Sequence, residues 1–100
     1  MAEVIWTEPA LHNLNEIAEY IALNNSAAAK ALVQTVFDKV TRLERHPQSG
    51  KIPVELPNFR YRELVINPCR VFYKIEHERV YIIHVMRQEM DMRKFLITSR

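Results

Sequence analysis

The apolar residues of this chain change their period once, and that change limits what the chain can fold into. Up to Leu43 they recur at spacings of three and four: Leu11, Leu14, Ile17, Ala18 and Ile21, then Ala29, Leu32, Val33, Val36, Phe37, Val40 and Leu43. Such spacing lines one face of a helix. From Tyr61 onward they fall instead into three short runs, Tyr61–Ile66, Arg70–Ile75 and Arg79–Met86, dense in Val, Ile, Tyr and Phe. Those runs read as strands. Between the two regimes lies His46-Pro47-Gln48-Ser49-Gly50, followed by Lys51–Asn58 with Pro53 and Pro57. Proline ends a helix and disfavours helical geometry just before itself, so this stretch is a break and an extended connection.

Local signals refine the order. Val4–Trp6 is a short β-forming run, and Thr7-Glu8-Pro9 opens a helix. Threonine caps the exposed N–H groups, the acid meets the positive helix end, and proline is tolerated in the first turn. Asn24-Asn25 stops this helix and Ser26 is expected to cap the second. Two helices joined by so few polar residues form an antiparallel hairpin. Asn67-Pro68 and Glu76-His77-Glu78 are short connections, which predict an antiparallel meander of the three runs. Asp91 is placed to cap a last short helix over Met92–Ile97. The expected fold is α+β: an N-terminal strand, an αα-hairpin packed on a three- to four-stranded antiparallel sheet, and a short C-terminal helix, all in one domain spanning 1–100.

Composition excludes several chemistries. One cysteine, Cys69, forms no internal disulfide, and a reducing compartment suits it. A single glycine leaves no phosphate-cradling loop, and no apolar stretch approaches the roughly 20 residues of a membrane span. The acidic start Met-Ala-Glu is unlike a secretory leader, so a soluble cytoplasmic protein is expected. His12, His46, His77 and His84 are scattered, with no pair at i,i+4, so neither a metal nor a cofactor is expected. None of the serines stands in a nucleophile-elbow context, and Cys69 follows Pro68 in a turn.

Charge is the informative quantity. Residues 1–50 carry a formal −2 and residues 51–100 a formal +4. The second half is therefore the expected docking region for an anionic partner. By strand alternation, Arg62, Leu64 and Ile66 share a face, as do Arg70, Phe72 and Lys74, and Val80, Ile82, His84 and Met86. Arg62, Arg70 and Arg87, with Tyr61, Tyr73 and Tyr81 on the same strands, make a cluster of guanidinium groups and phenols. Arginine clamps phosphate or carboxylate with parallel bonds. The candidate partner-binding residues are Arg62, Arg70, Tyr73, Lys74, Arg87 and Arg93. A ribonuclease needs a base, an acid and cations around an in-line phosphate. Arg62, Arg70, Arg87 and His84 are the candidates for that chemistry. The competing reading is that these arginines only form ion pairs with Glu63 or a helix carboxylate.

Trp6-Thr7-Glu8-Pro9-Ala10, Ile17-Ala18-Glu19-Tyr20-Ile21, His46-Pro47-Gln48-Ser49-Gly50 and the strand run Arg70-Val71-Phe72-Tyr73-Lys74-Ile75 resemble the RelE/ParE toxin superfamily of type II toxin–antitoxin modules. So do Tyr61-Arg62-Glu63-Leu64-Val65 and Val80–Arg87. The resemblance implies a helical hairpin on an antiparallel sheet and a cognate antitoxin as partner. The antitoxin would fold on binding and carry the complex to operator DNA. RelE-like members cut mRNA on the ribosome; ParE-like members poison DNA gyrase. Arg70 matches a family arginine and Arg87 lies near the nuclease's second basic position. The strand 61–66 lacks the nuclease's lysine pair and carries Glu63, and the tail offers Phe95 without a tyrosine. The resemblance is therefore closer to the ParE branch, with an mRNA endonuclease, or a non-toxic homologue that only binds antitoxin, as alternatives.

Overall fold

The computed structural model describes residues 1–57, 60–91 and 93. The helix expected over Met92–Ile97 lies outside them apart from Arg93. The elements are β1 (Glu3–Trp6), α1 (Glu8–Ala22), α2 (Ser26–Thr41) with a 3-10 turn at Arg42–Glu44, then β2 (Tyr61–Ile66), β3 (Cys69–Glu76) and β4 (Arg79–Arg87). Thr7 caps α1, its hydroxyl accepting from the Ala10 N–H at 3.4 Å and donating to the Ile82 carbonyl at 2.7 Å. The second cap is Asn25, one residue before the expected Ser26, with its side-chain oxygen taking the Ala28 N–H at 3.0 Å. An amide oxygen caps as well as a hydroxyl, so Asn25 takes the role expected of Ser26.

β2, β3 and β4 form the expected antiparallel meander, and the sheet order is β1-β4-β3-β2. β1 departs from the expectation by lying parallel to β4, making the four-stranded sheet mixed. The cause is the chain that follows it. Thr7 N–H donates to Ile82 O at 3.1 Å, and Val85 N–H donates to Asn13 Oδ1 at 3.2 Å. β1 and α1 thus travel along β4 as one unit in the same direction.

Ala10, Leu14, Leu32, Val36, Val40 and Leu43 bury against Val71, Tyr73, Val80, Ile82 and Val85 on the helix face of the sheet. Burying each such large apolar side chain contributes about 1.5–3 kcal/mol. A smaller core, Leu56 with Phe72 and Met86, forms on the far face, because segment 51–57 folds back over it. That segment is tied to the edge strand by a bridge between Lys51 and Glu63.

The chain's one glycine is fixed by this packing. Tyr73 is fully buried; its hydroxyl accepts from Gly50 N–H and donates to the Pro47 carbonyl, both at 2.8 Å. A Cβ on Gly50 would overlap the Tyr73 hydroxyl and stand 2.7 Å from its ring and 2.8 Å from Glu63 O. Neither the buried ring nor the strand carbonyl has room to withdraw. Gly50→Ala is therefore expected to lower unfolding free energy by about 1–3 kcal/mol, read by urea denaturation; a change below 0.5 kcal/mol, roughly the surface-substitution range, would refute this packing.

Candidate functional site

A bulge decides which side chains share a face. Phe72 pairs with His84 but Tyr73 pairs with Ile82, so Ile83 is an extra residue in β4. The alternation inverts there. Val80, Ile82, Val85 and Arg87 therefore point toward the helices. His84 and Met86 share the far face with Glu63, Arg70, Phe72 and Lys74. The sequence alternation, which grouped His84 and Met86 with Val80 and Ile82, is corrected by that one residue.

The strand register also splits the arginine–tyrosine cluster. Arg70, Lys74 and His84 lie on the far face, whereas Arg62, Tyr73 and Arg87 lie on the helix face. Arg62 pairs with Tyr73 near the start of β2, and Arg87 pairs with Cys69 at the other end of the strands.

Arg70 is the main correction. It is buried, and all five of its N–H groups are used. Nε and Nη2 donate to Glu63 at 3.1 and 2.8 Å, Nη1 and Nη2 to Glu55 at 2.7 and 2.6 Å, and Nη1 to Met90 O at 2.8 Å. Its guanidinium also stacks 4.8 Å from the Phe72 ring centroid. The hydrogen bonds it donates to Glu55 and then to Glu63 raise its already high pKa further. Such a group is a structural clasp with no donor left for a phosphate or a partner. Tyr73 is the second correction, since its hydroxyl is wholly occupied by Pro47 and Gly50. Burial also pushes that phenol's pKa up.

Apart from His84, the other candidates are exposed or partly so, and most are neutralised. Lys74 Nζ meets Glu76 at 3.1 Å, Arg87 meets Glu89 at 3.2 Å, and Arg93 meets Asp91 at 2.9 Å. Arg62 is half-buried, with Nη1 donating to Gln48 O at 3.2 Å and Gly50 O at 2.8 Å. His84 is buried, and desolvation lowers its pKa. Cys69 is buried at the start of β3, and burial raises its thiol pKa. No cluster of metal-ligating side chains occurs among the described residues.

A concavity lies beside the helices, where the family resemblance places an antitoxin groove. A groove of about 870 Å³ runs between α1 and the end of β4, lined by Asn13, Glu16, Ile17, Tyr20, Ile21, His84, Val85, Met86, Arg87 and others. It exists because β1 stops at Trp6, leaving the rest of β4 without a strand on that side. Its floor is apolar and its rim is polar. Arg87 arches over the exposed Tyr20 ring, 5.4 Å from its centroid. The sequence signal was available: Tyr20 interrupts the polar face of an otherwise amphipathic helix.

Two outcomes are expected. Arg70→Ala leaves the Glu55 and Glu63 carboxylates buried without a counter-charge and should destabilise the fold by about 3–5 kcal/mol; a loss below 1 kcal/mol in urea would contradict the clasp. For His84, the folded pKa lies below the ordinary 6.5. The unfolded state therefore binds the proton more readily, and stability present above pH 6.5 is lost as pH falls below it. Unfolding at pH 7.5 and 5.5 should show this loss in the native chain, and a smaller one in His84→Gln.

Comparison with known proteins accords with this architecture. A chain from the chromosomal ParDE toxin–antitoxin system of P. aeruginosa superposes with a TM-score of 0.74 at 25% identity, over 89% of this chain and 98% of that one. Toxin RelE2 of Caulobacter vibrioides is 30% identical over 86 residues, 85% of this chain and 93% of the relative. The family model for the ParE toxin of type II toxin–antitoxin system, parDE, matches residues 4–92. With the strand, helical hairpin and meander in the same order, the chain belongs to the ParE toxin family, the toxin side of type II toxin–antitoxin systems.

Proposed function

We propose that this toxin acts in the cytoplasm by binding and inhibiting DNA gyrase, and that its cognate antitoxin holds it inactive. The observation that carries the choice of target is the saturation of Arg70. Cutting mRNA on the far face would require cations to hold an in-line phosphate. There the one buried arginine is bound by two carboxylates, and its neighbours are Glu63, Phe72 and Met86. A surface of that kind suits inhibitory binding better than phosphodiester cleavage.

The antitoxin reading rests on the groove between α1 and β4. Family antitoxins carry acidic and apolar residues and fold as they bind. An apolar floor beside Arg87, with a strand edge left open by β1, fits an amphipathic segment of that composition. Operator DNA would be reached through the antitoxin. The likeness to a protein named Toxin RelE2 keeps ribosome-dependent mRNA cleavage as the second reading.

One set of reactions separates these. Purified toxin added to a gyrase supercoiling reaction should block supercoiling and leave linear DNA, and equimolar antitoxin should relieve the block. Full supercoiling at excess toxin rejects the gyrase reading. Primer extension on mRNA from a translation extract should show no cuts at A-site codons. Clear cuts there establish the endonuclease instead, and inactivity in both assays identifies a homologue that only binds antitoxin.

A further inference from the structure

Among the described residues, ion pairing separates two groups of basic residues. Those of β3, β4 and beyond, Arg70, Lys74, Arg79, Arg87 and Arg93, each meet an acid within 3.3 Å. By contrast, Lys39, Arg42, Arg45, Lys51, Arg60 and Arg62 form no ion pair among the described residues. Five of the six are exposed and Arg62 is half-buried. They belong to elements that meet at one corner: the 3-10 turn continues α2, Arg62 of β2 reaches the 46–50 turn at Gln48 and Gly50, and Lys51 bridges to Glu63 of the same edge strand.

The corner is held rigid. His46 N–H returns to Arg42 O at 3.0 Å, and Ser49 N–H to His46 O at 3.1 Å. Tyr73 pins Pro47 and Gly50 to the sheet. Arg62 is thereby preset: Nη1 is anchored on Gln48 O and Gly50 O, leaving Nε and Nη2 uncommitted among the described residues. Set against Asp38 and Glu44, the six cations give the corner a formal +4 in a chain of net +2. The negative end of α2 favours one or two cations beside it, but not six extending onto β2.

We infer that this corner is a contact surface for the phosphate backbone of duplex DNA, made by the toxin directly. Four of the six groups are arginines, whose forked donors match phosphate oxygens. An acidic peptide would need apolar anchorage, and the adjoining concavity is only about 220 Å³, lined by Ile52, Arg60, Tyr61, Arg62 and Ile75. Single strands are bound by stacking on exposed aromatic rings. Tyr61 borders the corner but is half-buried. Backbone contact to a duplex needs neither a groove nor a ring.

The test is independent of gyrase and antitoxin. Full-length toxin is titrated against a fluorescein-labelled 20-bp duplex of mixed sequence, by anisotropy, from 50 to 200 mM KCl. Binding should weaken steeply with salt. The double variant Arg42→Ala, Arg45→Ala should bind at least about tenfold more weakly, with a log–log salt slope shallower by about 2. Lys30→Ala, at the far end of α2, and Arg79→Ala, already paired with Glu3, should match the native chain. Circular dichroism checks that each variant is folded. The inference is overturned by absent binding at 50 mM KCl, by an unchanged slope in the double variant, or by an equal loss in Lys30→Ala. Tighter binding to a single-stranded 20-mer, or displacement by polyglutamate as effective as by unlabelled duplex, would overturn it in favour of another polyanion.

Discussion

Arg70 joins three parts of the chain that are distant in sequence. Its two carboxylate partners come from the edge strand β2 and from the segment that folds over the far face, and its fifth bond reaches the turn after β4. A buried guanidinium is costly to desolvate and is tolerated only where every donor is met. Here that condition can be satisfied in one arrangement, with segment 51–57 closed down and Leu56 seated on Phe72 and Met86. The far face therefore carries a second, small core, and its buried arginine is internal to the fold.

That closure leaves other surfaces open. With segment 51–57 over the far face and the β3 and β4 cations paired, two open features among the described residues are the apolar groove beside α1 and the cationic corner at the end of α2. They differ in chemistry. The groove offers apolar burial and a strand edge, which suits a peptide that folds on binding. The corner offers charge without apolar depth, which suits a polyanion. The fold alone fixes neither activity, since one scaffold hosts more than one.

Much of the architecture was legible because it depends on local period and punctuation. Thr7, the 3-and-4 stripe of α2, Pro47 and the turn at Asn67-Pro68 act on their immediate neighbours, and the elements appear where those signals put them. The parallel pairing of β1 was not legible, because it depends on where α1 lands after Thr7. The site was less legible than the fold. Arg62, Arg70 and Arg87 are alike as letters, yet one is anchored on turn carbonyls, one is saturated and buried, and one arches over a tyrosine. The bulge at Ile83 also reversed the faces of the residues that follow it.

By itself the sequence determined the element order, the α+β class, the helix caps to within a residue and the excess of basic groups in the second half, since each follows from spacing, steric preference or a count. Only the tertiary structure decided which of those charges act outward. Pairing depends on distances between residues far apart in the chain, and Glu55 reaches Arg70 only after a loop has folded back across a sheet. A guanidinium's availability is a property of its neighbours in space, and no local pattern carries it.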